Sequence, residues 1–182
     1  MSKIYRIPGK IFRYLHRIIP KTHELGGYLK FNENNVASGM ELFTGKVCRD
    51  ASGRILDEST ACEVSFPQKE VCFHTHPLAN RPSSDDFMNC LHHRITNLHI
   101  VISEKGVWLY HARRVENHVE NHIENHETLR SELRFLGHYY QTPTQNGNIS
   151  DYLDNIQTLG FHVKYIPIDE IPSDKMFEFL VE

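Results

Sequence analysis

The sequence has no acidic residue before Glu24, and this gives its first stretch a character of its own. Lys3, Arg6, Lys10, Arg13, Arg17 and Lys21 all fall there, so the stretch resembles a transit peptide in part. Serine is scarce in it, however, and no cleavage pattern follows. No apolar run approaches the roughly 20 residues that a helical membrane span needs, so none is expected. The four cysteines, Cys48, Cys62, Cys72 and Cys90, form no C-x-x-C pair. Free thiols in a reducing, cytoplasmic compartment are therefore the expectation. A net charge of -3 gives no reason to look for nucleic acid or an acidic ligand as the main partner.

What remains is the composition of a globular protein whose 182 residues suit a single domain. Its one compositional oddity is 13 histidines. Residues Pro8 to Ile19 read as an amphipathic helix, with Ile11, Leu15, Ile18 and Ile19 on one side and Lys10, Arg13 and Arg17 on the other. Packing on the core is the simpler role for that face, and a membrane surface the rarer one. Pro20 stops the helix.

Strands are expected at "GGYLKFN", "GKVCRD", "CEVSF" and "EVCFHTH", and a helix from about Ser83 to Arg94. "LHIVISEKGVWLYHAR" reads as a hairpin turning at Glu104-Lys105-Gly106. Helices around Thr128–Tyr140 and Ile149–Leu159 and a strand "FHVKYIPI" complete residues 128–182. The expected fold class is α/β, in two or three layers, with a mixed β-sheet flanked by helices.

Between the hairpin and these last elements lies the repeat "VENHVENHIENH", Val115 to His126. Its period of four nearly matches a helical turn, so His118, His122 and His126 would form a ladder along one side. Histidines at i and i+4 can bind a divalent metal. Glu124 sits two residues after His122, which is not the zincin arrangement, and a solvated helical insertion is the plainer reading.

The stretch that carries chemistry is "VCFHTHPLANRPSSDDF", Val71 to Phe87. Residues i and i+2 of a strand share a face, so His74 and His76 can reach one point together. The loop Pro77–Pro82 returns the chain to Ser83, three residues before Asp86. Zinc accepts imidazole nitrogen and carboxylate oxygen, and a hydrolytic site keeps three protein ligands and one water. His74, His76 and Asp86 would supply the three. The same run also suits a helix start, with Ser83 as N-cap and Asp86 at the third helical position.

H-T-H-P followed by S-x-x-D resembles the zinc motif of the JAMM/MPN (JAB) metallopeptidases, a family that includes isopeptidases acting on ubiquitin. The family's upstream E-x-x-G-x-L pattern is matched by Glu24, Gly27 and Leu29 in "HELGGYLKF", preceded by the amphipathic helix. The resemblance runs from about Ile11 to Tyr110, within a domain core of about 11–112. It departs in the loop, where six residues separate His76 from Ser83 and the family usually has seven. Choosing Ser84 would restore seven but put Phe87 in the place of the ligand, so Ser83 and Asp86 are preferred.

The resemblance implies a JAMM/MPN-type domain of deaminase-like architecture holding one Zn2+ per chain on His74, His76 and Asp86. Glu24 would act as the general acid/base and Ser83 as the oxyanion donor. It implies hydrolysis of isopeptide or peptide bonds, with ubiquitin or ubiquitin-like protein conjugates as substrates. Cys72 shares the strand face of the two histidines and is expected to be a buried thiol. His23, His92, His93 and His99 are given no role. A non-catalytic MPN-like scaffold is the alternative, and a metal sensor built on the histidine ladder another. A nucleobase deaminase would need a Pro-Cys-x-x-Cys element, which is absent.

Overall fold

The computed structural model describes residues 2–21, 23–44, 69–77, 81–92, 96–113, 126–140 and 149–181. Strand β1 (Lys3–Pro8) leads directly into α1 (Gly9–Arg17), followed by β2 (Leu25–Phe31) and β3 (Ala37–Thr44). Next come β4 (Val71–His76), α2 (Ser84–His92), β5 (Leu98–Ser103) and β6 (Gly106–Ala112). Helices α3 (His126–Tyr139) and α4 (Ile149–Thr158), then β7 (Phe161–Pro167), a 3-10 turn (Ile168–Glu170) and β8 (Met176–Val181) close the order.

Six strands form one mixed sheet in the order β3-β2-β4-β5-β6-β7, and β1 pairs with β8 in a second, two-stranded sheet. Strands β4 and β5 run parallel and the other neighbours antiparallel. A parallel pair needs a crossover, and α2 lies on the connection between β4 and β5.

Alternation along the central strands builds two cores, one on each side of the sheet. Val71 and Phe73 of β4, Ile100 and Ile102 of β5, and Val107 and Leu109 of β6 face α1 and the β1–β8 ribbon. Their partners there are Ile11, Phe12 and Leu15 of α1 with Tyr5, Ile7, Phe177 and Phe179 of the ribbon. On the other side, Val101, Trp108 and Tyr110 meet Phe87 and Met88 of α2, Leu129 and Leu133 of α3, and Tyr152 and Ile156 of α4. With both faces covered, β5 is buried along its whole length, His99 and Ser103 included. The expected α/β class with a mixed sheet flanked by helices is what the chain adopts.

The amphipathic helix is present as α1, its apolar stripe used on the core, with Lys10 and Arg17 exposed. The β5–β6 hairpin turns at Glu104-Lys105, and Gly106 already belongs to β6. Three strands were not anticipated. β1 and β3 sit beside a helix and a turn, and β8 adds a strand to the expected C-terminal set by returning to β1 over the whole length of the chain. The strands expected at "GKVCRD" and "CEVSF" lie outside the described residues, as does the repeat apart from His126. That histidine opens α3 and packs edge-on against His92 of α2, ring centroids 5.0 Å apart. Among the described residues no helix is long and apolar enough to cross a membrane.

Candidate metal centre

Strand register decides what meets at the end of β4. β2 and β4 pair antiparallel, Gly26 opposite His74 and Gly27 opposite Phe73. Continuing that register puts Glu24 opposite His76. The start of β2 is fixed there by the Leu25 N–H, which donates to Oγ1 of the fully buried Thr75 at 2.9 Å. Gly27 is required by the close approach of its neighbours: a Cβ there would stand 1.9 Å from the Glu41 carbonyl oxygen and 2.7 Å from the Phe73 ring. The E-x-x-G-x-L pattern thus has a local cause, with Glu24 beside the histidines, Gly27 squeezed between strands and Leu29 in the core.

The α2 end brings the third group. Ser83 Oγ accepts the Asp86 N–H at 3.1 Å, and the Asp86 carboxylate accepts the Ser83 N–H at 2.6 Å. This reciprocal cap satisfies two backbone donors that the helix start leaves open. The helix-start reading is therefore correct. The same carboxylate also faces both imidazoles.

His74 Nε2 lies 3.1 Å from Asp86 Oδ1, and His76 Nε2 lies 3.3 Å from Asp86 Oδ2. The two Nε2 atoms are 3.1 Å apart. Glu24 Oε1 stands farther off, 3.9 Å from His76 Nε2. All four side chains keep only 6–15% of their exposure, so the charges among them depend on one another for compensation. Burial alone would lower the His74 pKa, but the charge and hydrogen bond of Asp86, with the Glu24 charge, hold it above its ordinary value. Burial would likewise raise that of Asp86, yet His74 and His76 keep its carboxyl well below the usual range.

Donor chemistry and spacing suit a divalent ion. A tetrahedral zinc with bonds of about 2.0–2.1 Å separates its ligand atoms by about 3.3–3.4 Å; here the two Nε2 atoms are 3.1 Å apart, and each lies 3.1–3.3 Å from a different oxygen of Asp86. The ligand orientation is set from behind as well: His76 Nδ1 lies 2.9 Å from the Arg81 carbonyl oxygen. With Nδ1 donating to that carbonyl, Nε2 would be the nitrogen turned toward a bound ion. His74, His76 and Asp86 form one group able to hold a metal ion.

The structure therefore assembles His74, His76, Asp86 and Glu24 at one point. Ser83 stands at the same helix start, exposed, with its hydroxyl hydrogen free to donate outward because Oγ acts as acceptor toward Asp86. Cys72 is buried, as expected: its Sγ lies 3.5 Å from Thr96 Oγ1, and burial raises its pKa. Cys90 is buried too, its thiol pushed up to about 12, and both cysteines are free. His99 stacks on Tyr110 within the sheet. Two contributors escaped the sequence reading. Thr75 carried no signal beyond its place between the histidines, and Arg81 none beyond its place in the proline-bounded loop.

No protein-family model, curated protein or solved structure matches the chain.

Proposed function

We propose that the chain is a zinc-dependent hydrolase of the JAMM type, cutting isopeptide or peptide bonds in ubiquitin-like conjugates. The observation that carries the reading is the convergence of His74, His76 and Asp86 with Glu24 Oε1 set 3.9 Å from His76 Nε2. Three short contacts among two imidazoles and a carboxylate make a ligand set with room for a fourth partner. A carboxylate just outside that set is where a proton carrier belongs rather than a fourth ligand.

When bound, zinc supplies a Lewis acid and brings the pKa of coordinated water to about 7. The chain's own groups do the rest. Glu24 takes the proton of the attacking water and delivers it to the leaving amine. The Ser83 hydroxyl donates to the oxygen of the attacked carbonyl as charge develops on it. Arg81, through its carbonyl, holds the His76 ring in the tautomer that a ligand needs. The order of elements from α1 to β6 is also the order that the resemblance implies, which supports the reading.

The test is incubation of the zinc-loaded protein with a panel of isopeptide-linked ubiquitin dimers, wild type against Glu24→Gln. Cleavage by wild type, lowered about 10²–10⁴-fold in the variant with zinc content unchanged, is the expected result. Zinc binding without cleavage by either would favour the non-catalytic scaffold.

A further inference from the structure

The row of residues crossing the sheet from His74 leads to a cation with no counter-ion among the described residues. His74 pairs with Val101, Val101 with Trp108, and Trp108 with Tyr165. Strands lie about 4.8 Å apart, so Trp108 stands roughly 10 Å from the metal ligand on the same side of the sheet. Above this row, the Arg81 guanidinium lies over the Tyr152 ring at 4.7 Å and over the Tyr140 ring at 5.8 Å.

Among the described residues Arg81 has no carboxylate within ion-pair distance, and its Nη1 is buried without an acceptor. Trp108 Nε1 is a second buried donor without one, and its ring meets Tyr152 edge-on at 5.8 Å. Buried donors are ordinarily satisfied, and two such groups against one tyrosine ring call for an acceptor that the described residues do not provide. Burial also lowers the Arg81 pKa.

We infer that Arg81, whose carbonyl meets His76, forms a carboxylate-binding subsite beside the metal centre, so that the substrate carries an acidic side chain or a terminal carboxylate near the bond cut. This rests on the hydrolytic reading above. A guanidinium matches a carboxylate in charge and in its planar pair of hydrogen bonds. A phosphate dianion would leave a second negative charge among tyrosine rings with no second cation. Arg81 stays partly exposed, so a ligand can reach it.

Trp108 is the only tryptophan in the chain, which makes its fluorescence a local reporter. The experiment titrates metal-stripped protein with acetyl-Glu-Ala-Ala-Gly-amide, with its Gln counterpart and with inorganic phosphate. The Glu peptide is expected to give a saturable change, with the Gln peptide and phosphate weaker by about tenfold or more. Arg81→Met keeps the stem against Tyr152 and is expected to abolish the preference, with Arg81→Lys retaining part of it. Equal responses to Glu and Gln peptides, no response to either, or an undiminished preference in Arg81→Met would overturn the subsite. A phosphate response as strong as that of the Glu peptide would overturn its carboxylate character. Binding is read without metal, so it stands or falls apart from hydrolysis. A Glu preference in a protein that cuts nothing sinks the hydrolase alone, and cleavage without that preference sinks the subsite alone.

Discussion

Ser83 and Asp86 cap each other across the first turn of α2, the hydroxyl taking the Asp86 N–H and the carboxylate taking the Ser83 N–H. One carboxylate thereby starts a helix and completes the group that could hold a metal ion. Its position is held by a backbone donor, so it does not depend on the Ser83 side chain.

Ser83→Ala separates the two roles of that hydroxyl. Loss of the cap should lower stability by about 1 kcal/mol in urea unfolding. Zinc content should be unchanged, because Asp86 keeps its bond from the Ser83 N–H. Hydrolysis should fall about 10²–10³-fold if the hydroxyl donates to the developing oxyanion. A variant that loses stability but keeps its rate would make Ser83 a cap and nothing more.

Gly27→Ala tests whether the strand beside Glu24 tolerates a methyl group. The new Cβ would collide with backbone of β3 and the Phe73 ring, so a loss of about 1–3 kcal/mol is expected. Gly39→Ala in β3 is the control, since nothing lies within 4 Å of a Cβ there. Equal melting temperatures for the two variants would mean that β2 and β3 can part without cost.

Glu70 links β1 to the foot of β4. It accepts from Lys3 Nζ and from the Tyr5 hydroxyl at 2.7 Å. Burial works to raise its pKa, but these partners, with Asn97, outweigh it and leave the value below the ordinary one. A carboxyl lowered in the folded state stabilises above its unfolded pKa, and that contribution is lost as pH falls through the folded value. Glu70→Gln should thus cost stability at pH 7 and nearly nothing at the lowest pH where the protein still folds. The side chain is 41% exposed, so the difference should stay below about 1 kcal/mol. A gap between variant and wild type that widens on acidification would reverse the assignment.

How far the sequence could be read depended on whether the signal was local. β4, α2 and the β5–β6 hairpin stood out because an apolar run, a Ser-x-x-Asp start and a tight turn each act within a few residues. The site was legible for the same reason: His74 and His76 share a face by alternation, and Asp86 follows on the next element. The β1–β8 ribbon was not, since Lys3 meets Val181 only when the two ends of the described chain come together. β8 does alternate exposed and buried side chains, but the partner that makes it a strand lies at the other end of the described chain. β3 opens on Ala-Ser-Gly, which reads as a turn until β2 lies beside it. Arg81 gave no warning, because its backbone carbonyl, and not its side chain, orients His76.

The most direct measurement is the metal content of the pure protein after dialysis, wild type beside the double variant His74→Ala, His76→Ala. One zinc per chain in the wild type and none in the variant is the expected pair of results. Full stoichiometry in the double variant would place the metal elsewhere, on the histidines of the repeat, and would contradict the centre at His74, His76 and Asp86.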